Sequence, residues 1–224
     1  MYAQQYVPKK GNRVVRTIVL AVAIGLSLSF SIYMGGAHSR AKTHVDKSAS
    51  YYHVGRYAEA AAEARKAISI DYDYPRAHNF LGYDLYKLGQ LTEGIAEVRI
   101  AVKQAPGYQS AHDNLGYMLY EQGDLAGSRH EFDKALAIDP KDVDAKAEIG
   151  RILARQGNIK DALTAANEAV ALDPDAAVVR RCLGFVLYQS GDKVGAKREW
   201  LKCIEIGNKD VADQARAYLK QYDL

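Results

Sequence analysis

The sequence predicts an all-α protein in which helix hairpins stack into one elongated array, and three observations predict it. The segment Leu81-Gly82-Tyr83-Asp84-Leu85-Tyr86-Lys87-Leu88-Gly89 is rewritten from Leu115, from Ile149 and from Leu183, each time 34 residues on. Glycines fall at 55, 89, 123, 157 and 191 in the same register. Two sets of positions stay small in every copy: Ala60, Gly94, Ser128, Ala162 and Ala196, then Ala67, Ala101, Ala135, Ala169 and Cys203. A fixed period of this size marks one supersecondary unit stacked on itself.

Residues 1–16 form a polar tail carrying Lys9, Lys10, Arg13 and Arg16. An uncharged run follows from Thr17 to Met34 and extends to Gly36. Its length matches the ~30 Å hydrocarbon core, so 17–36 is expected to be an uncleaved transmembrane signal anchor in contact with the lipid bilayer. The alternative is a cleaved signal peptide, with Gly35-x-Ala37 as the small-x-small site and a secreted product. Four cations precede the span, and Arg40, Lys42 and Lys47 follow it. That balance orients the tail to the cytoplasm and the rest to the extracytoplasmic side, periplasmic or external. Ala21, Gly25 and Ser29 share one face and give a basis for self-association. Gly35-Gly36 is expected to break the span from the first repeated unit.

Within the second unit, Leu81, Leu85 and Leu88 recur at i, i+4, i+7, the signature of one buried helical face. Gly89 is placed to end that helix. A second helix follows on Ile95, Val98, Ala101 and Val102 and runs into Pro106, which cannot continue it. The same reading applies to each copy.

These residues resemble the tetratricopeptide repeat family over 41–210, as five units at 41–74, 75–108, 109–142, 143–176 and 177–210. The family's Leu-Gly pair, its small positions, its bulky second-helix residue (Phe132, Trp200) and its closing proline (Pro106, Pro140, Pro174) are all present. Unit one departs, with Lys47 and Ser48 at the Leu-Gly pair and Tyr72 at the proline. Terminal repeats are commonly atypical. The resemblance implies a right-handed superhelix. Beyond it, 211–224 reads as a capping helix that turns Ala212, Ala215 and Leu219 onto the last unit and leaves Asp213, Arg216 and Lys220 to water.

The formal charge is +3, and four of the positive charges lie in the first 37 residues, where there is no acid. Removing them leaves −1 on 38–224, which excludes an electrostatic case for nucleic acid. Hydrophobic content of 48% and charged content of 25% are ordinary globular values. Cys182 and Cys203 read as small buried apolar residues, a disulfide in an oxidising compartment being the alternative.

Motifs for catalysis are missing: there is no glycine-rich phosphate loop, His-Glu-x-x-His, Cys-x-x-Cys or nucleophile elbow. No enzyme activity, catalytic residue, cofactor or metal is expected. His78 and His112 occupy the same place in adjacent units, with no third ligand on that face, and read as structural. The acid pairs Asp71/Asp73 and Asp142/Asp144 read as helix-start residues.

The remaining surface is the inner face. In the family the first helices line it and bind extended peptides there. The resemblance therefore points to the residues one and four places after each Leu-Gly pair: Tyr83 and Tyr86, Tyr117 and Tyr120, Arg151 and Ala154, Phe185 and Tyr188, with Tyr52 in unit one. Lys87, Arg151, Arg155 and Arg181 add positive charge, against Asp113, Glu121 and Asp144. Sixteen tyrosines against four phenylalanines favour contacts with a polar tip. The alternative is that these aromatics pack between neighbouring units. The Lys-x-x-x-Asn of chaperone-binding relatives is replaced by Val45 and Ala49, so that activity is not implied. The expected function is a membrane-anchored scaffold for a protein or peptide partner in cell-envelope assembly, secretion or maturation. A self-assembling structural membrane protein and a non-catalytic subunit of an enzyme complex are the alternatives.

Overall fold

The computed structural model describes residues 36–224. Among them are eleven helices and no strand. Helix α1 occupies 36–53. It is followed by α2 (Tyr57–Ile70), α3 (Pro75–Lys87), α4 (Leu91–Gln104), α5 (Gln109–Gln122), α6 (Leu125–Ile138), α7 (Val143–Arg155), α8 (Ile159–Leu172), α9 (Ala177–Gln189), α10 (Lys193–Ile206) and α11 (Lys209–Gln221). Consecutive helices pair as hairpins, α3 with α4 through α9 with α10, and each hairpin packs on the next.

The turns follow from the register glycines. Gly55, Gly89, Gly123, Gly157 and Gly191 all have positive φ, from 76° to 93°, where a side chain would be strained. The small positions sit where helix axes cross. A Cβ on Gly82 would lie 2.5 Å from Val98 and 2.7 Å from the Gly94 carbonyl oxygen. Bulk enters beside two of these crossings: Phe132 lies over Gly116, and Trp200 lies over Gly184 and donates its indole N–H to the Arg181 carbonyl at 3.1 Å. Leu81 and Leu85 are buried as expected, but Leu88 is exposed because α3 ends at Lys87 and Leu88 is its C-cap.

The expected break at Gly36 is not found: Gly36 is helical and belongs to α1. The reason is the stripe Ala37, Ala41, Val45 and Ser48, buried at helical spacing, which carries α1 a turn upstream of the first repeat. The tail, the rest of the expected span and the Ala21/Gly25/Ser29 face lie outside the described residues. No helix among the described residues is long and apolar enough to cross a membrane. Cys182 and Cys203 are both free and buried, so the disulfide alternative is not realised.

Each hairpin but one is tied across its two helices by a polar pair nineteen residues apart. His44 bonds Glu63 at 2.6 Å, His78 bonds Glu97 at 2.7 Å, His112 bonds Glu131 at 2.6 Å and Arg180 bonds Glu199 at 2.8 Å. The second donors of His78, His112 and Arg180 reach back to the carbonyls of Tyr72, Pro106 and Pro174 in the preceding turn. The fourth hairpin has Lys146 and Ala165 at these places and lacks the tie. His78 and His112 thus have a structural role. Asp142 caps α7 through the Ala145 amide, whereas Asp71 ends α2 and takes His38 at 2.7 Å, a role its spacing did not indicate.

Candidate functional site

Helices α1, α3 and α5 carry tyrosines on one common face. Residues three apart share a helix face, and the 34-residue period repeats that face from unit to unit. Tyr52 lies 5.5 Å from Tyr83 by ring centroids, Tyr83 lies 5.8 Å from Tyr86, and Tyr86 lies 5.6 Å from Tyr117. The Tyr86 and Tyr117 hydroxyls meet at 3.4 Å. The Lys87 ammonium sits 5.5 Å from the Tyr83 ring centroid and 5.9 Å from that of Tyr86, a cation over aromatic faces. All five side chains are half-buried. They form a continuous wall.

The wall continues into a buried charge cluster on α7 and α9. Glu148 accepts from Arg151 Nε at 2.6 Å and from Arg181 Nη2. Burial works against the Glu148 carboxylate, but the two guanidiniums pull its pKa below the ordinary value. Arg151 lies over Tyr120, and the exposed Arg155 covers the same ring at 4.9 Å. Arg181 Nε and Nη1, Arg151 Nη2 and Asp113 Oδ1 find no protein partner. Burial, reinforced by Asp142 and Asp144, pushes the Asp113 carboxyl up to about 8. A cavity of about 140 Å³ opens between Tyr83, Asp113, Tyr117 and Arg181.

Helix α11 packs on α9 and α10 and reaches the wall and the charge cluster through individual side chains. It buries Ala212 and Ala215, the latter in one core with Trp200 and Cys203, while Asp213, Arg216 and Lys220 are exposed. Its other side is occupied as well. Tyr218 accepts from Arg151 Nη1 at 3.1 Å and lies 5.8 Å from the Phe185 ring, and Tyr222 stacks on Tyr188 at 3.9 Å. Val211 and Gln214 close the cavity that Arg181 lines. At its first turn Asp210 reaches the opposite end of the array. The Tyr52 and Tyr57 hydroxyls donate to it at 3.0 Å each, and Lys87 Nζ lies 2.9 Å away.

The eleven residues expected at the site therefore divide. Tyr52, Tyr83, Tyr86, Lys87 and Tyr117 are brought together, and Arg155 lies outside them at the surface. Tyr120, Arg151, Arg181 and Phe185 are buried in internal contacts, and Tyr188 is half-covered by Tyr222. Sequence reasoning missed Tyr57, Glu148, Tyr218 and Asp210. It also missed Asp84, a fully buried carboxylate that accepts from Ser48 at 3.1 Å. The register held a signal for Asp84, since its equivalents Met118, Ile152 and Val186 are core residues. Nothing local marks Asp210. No cluster of three or more metal-type ligands occurs among the described residues.

The family model described as tetratricopeptide repeat matches four overlapping segments, 46–109, 81–143, 114–177 and 147–202. The chain is a tetratricopeptide-repeat protein. Among solved tetratricopeptide-repeat structures, it is similar to TTC0263 of Thermus thermophilus, at 22% identity and TM-score 0.69, over 82% of this chain and all of that one. It is also similar to Pseudomonas aeruginosa pilF, at 17% identity and TM-score 0.65, over 84% of this chain and 93% of that one. A third is YrrB, at 18% identity and TM-score 0.53, over 78% and 90%. At these identities the likeness shows the solenoid fold of tetratricopeptide-repeat proteins and nothing narrower. No curated protein sequence matches the chain.

Proposed function

We propose that the protein is a membrane-anchored scaffold that holds a peptide or protein partner against its tyrosine wall, on the extracytoplasmic side, in assembly, secretion or maturation of the cell envelope. The observation that carries this reading is the continuous run Tyr52–Tyr83–Tyr86–Tyr117 with Lys87 above it. Half-buried tyrosines offer rigid contact area at low entropic cost. The fold supports an interaction role, and YrrB is described as a tetratricopeptide-repeat protein with an unusual peptide-binding site. The uncharged run 17–36 supports the anchor.

A photo-crosslinking residue at position 86, compared with one at exposed Arg99 on α4, tests the wall. Capture of one partner from 86 and none from 99 is expected. Capture from 99 alone, or equally from both, overturns the reading. The anchor is tested separately by N-terminal sequencing of the protein isolated from membranes. A start near Met1 is expected, and a start at His38 replaces the anchor with a secreted form.

A further inference from the structure

We propose that Tyr52, Tyr57 and Lys87 form a carboxylate-binding site that Asp210 fills in cis, so that a peptide carboxylate from the partner enters by displacing the Asp210 side chain. This deepens the scaffold reading and rests on it. The site is built from one end of the array: Tyr52 from the end of α1, Tyr57 from the start of α2, Lys87 from the end of α3. All three donors converge on one carboxylate, with the two phenols 3.0 Å from separate oxygens and the ammonium 2.9 Å from one of them. Burial pushes the Tyr57 phenol up to about 12 and raises that of Tyr52 further, so both hydroxyls stay protonated and donate. Burial opposes the Asp210 charge, but Lys87 and the phenols hold its carboxyl below the ordinary value.

The occupant belongs to a different part of the molecule from its donors. Helix α11 is anchored through Ala212 and Ala215 on the fifth repeat, whereas the Asp210 side chain makes its hydrogen bonds and ion pair to the first two repeats. A competing carboxylate therefore has one side chain to replace and leaves the anchor of α11 in place. With Asp210 turned away, Lys87 is left with a charge that is 12% exposed, boxed by the rings of Tyr57, Tyr83 and Tyr86 and short of an anion. A half-buried cation that loses its partner is costly, so the site favours a replacement anion. A cleft of about 530 Å³ adjoins it, walled by Tyr52, Tyr57, Lys209 and Asp210, and gives a peptide room to approach. Lys209 on this cleft is paired with Asp213 at 2.8 Å and Arg56 with Glu59 at 2.7 Å, so the charge that selects an anion is that of Lys87.

The test uses the full chain in detergent and three fluorescein-labelled peptides: an amidated alternating Gly-Glu peptide, a Gly-Ser peptide with a free C-terminus, and an amidated Gly-Gln peptide. Asp210→Asn should bind the Gly-Glu peptide, the free-ended peptide or both roughly tenfold more tightly than the unmodified chain, a change of about 1.4 kcal/mol, with no gain for Gly-Gln. Which of the first two gains tells side-chain from chain-end carboxylates. Adding Lys87→Met to Asp210→Asn should remove the gain, and this double change deletes both charges of the pair, so the fold is retained and checked by thermal melting. Absence of a gain, an equal gain for Gly-Gln, or a gain that survives Lys87→Met overturns the proposal. A failure here alongside partner capture from position 86 leaves the wall standing. A gain here without that capture removes the wall as the partner site and keeps the carboxylate site.

Discussion

Arg151 lies over Tyr120, its guanidinium carbon 3.6 Å from the ring centroid, and both residues are buried. The two were expected to face a ligand, yet they link α5 to α7, and through Tyr218 they link both to α11. Their truncation should therefore behave as core damage. Tyr120→Ala is expected to cost about 3–5 kcal/mol, as other buried aromatics do. Arg151→Ala should cost about 3–5 kcal/mol because it strands part of the charge on Glu148. Tyr86→Ala, on a half-buried residue, should cost clearly less than either. Denaturant melts of the three variants decide it, and a Tyr86 variant as weak as the Tyr120 variant makes the whole wall a packing surface.

Glycines at equivalent places differ in how much room they have. At Gly82 a Cβ would meet both a valine and a backbone oxygen under 3.0 Å, whereas at Gly150 the nearest atom is the Ala162 oxygen at 3.2 Å. Gly82→Ala is expected to force the hairpin apart at a cost of about 1–3 kcal/mol. At Gly150 the strain is smaller and alanine's helix preference, up to ~1 kcal/mol, offsets it. Equal melting temperatures for the two variants would refute this.

Above about pH 4, where the depressed carboxylates Glu148 and Asp210 are already ionised, the contributions of Asp84 and His78 to stability should fall as pH rises. Burial pushes the Asp84 carboxyl up to about 7 against one hydrogen bond from Ser48. The folded chain keeps a proton there that the unfolded chain releases above its ordinary value of about 4, so stability declines as pH rises from about 4 to 7. For His78 burial lowers the affinity for a proton, but Glu97 and the Tyr72 carbonyl outweigh it and the pKa is raised. Its contribution is complete below about 6.5 and is lost as pH rises through the raised value. Asp84→Asn should melt above the unmodified chain at pH 8, with the difference shrinking towards pH 4. His78→Gln should lose more at pH 5.5 than at pH 9. A pH-independent offset in either variant contradicts the assignment.

The fourth hairpin should open first. It lacks the cross-helix tie, and where α6 and α10 bring Phe132 and Trp200 against the preceding helix, α8 offers Ala166. The buried residues of α8 are alanines alone. Amides of α8 are therefore expected to exchange faster than those of α4, α6 and α10. Ala165→Glu, which lets Lys146 form the missing pair, should slow them. Slower exchange in α8 than in its neighbours counts against this picture.

Much of the fold could be read directly because a period needs no tertiary knowledge. Gly89 and Gly123 mark turns, and Ala101 and Ala135 mark crossings, wherever the chain goes in space. The cross-helix ties were legible too, in the register of Glu63, Glu97, Glu131 and Glu199. The site divides differently. Tyr83, Tyr86 and Tyr117 follow from helix spacing, but whether Tyr120 and Arg151 face a partner depends on α11, whose path no local pattern encodes. Asp210 lies in an ordinary helix start, and its meeting with Lys87 depends on how the twist of four hairpins accumulates.

That meeting changes the statistics of the array. A solenoid whose units touch only their neighbours frays from its ends, and its stability is a sum of nearest-neighbour terms. Here the first and last units also hold each other, through Asp210 on one side and Tyr52, Tyr57 and Lys87 on the other. Among the described residues the couplings close into a loop, and opening either end then entails breaking a bond made by the other.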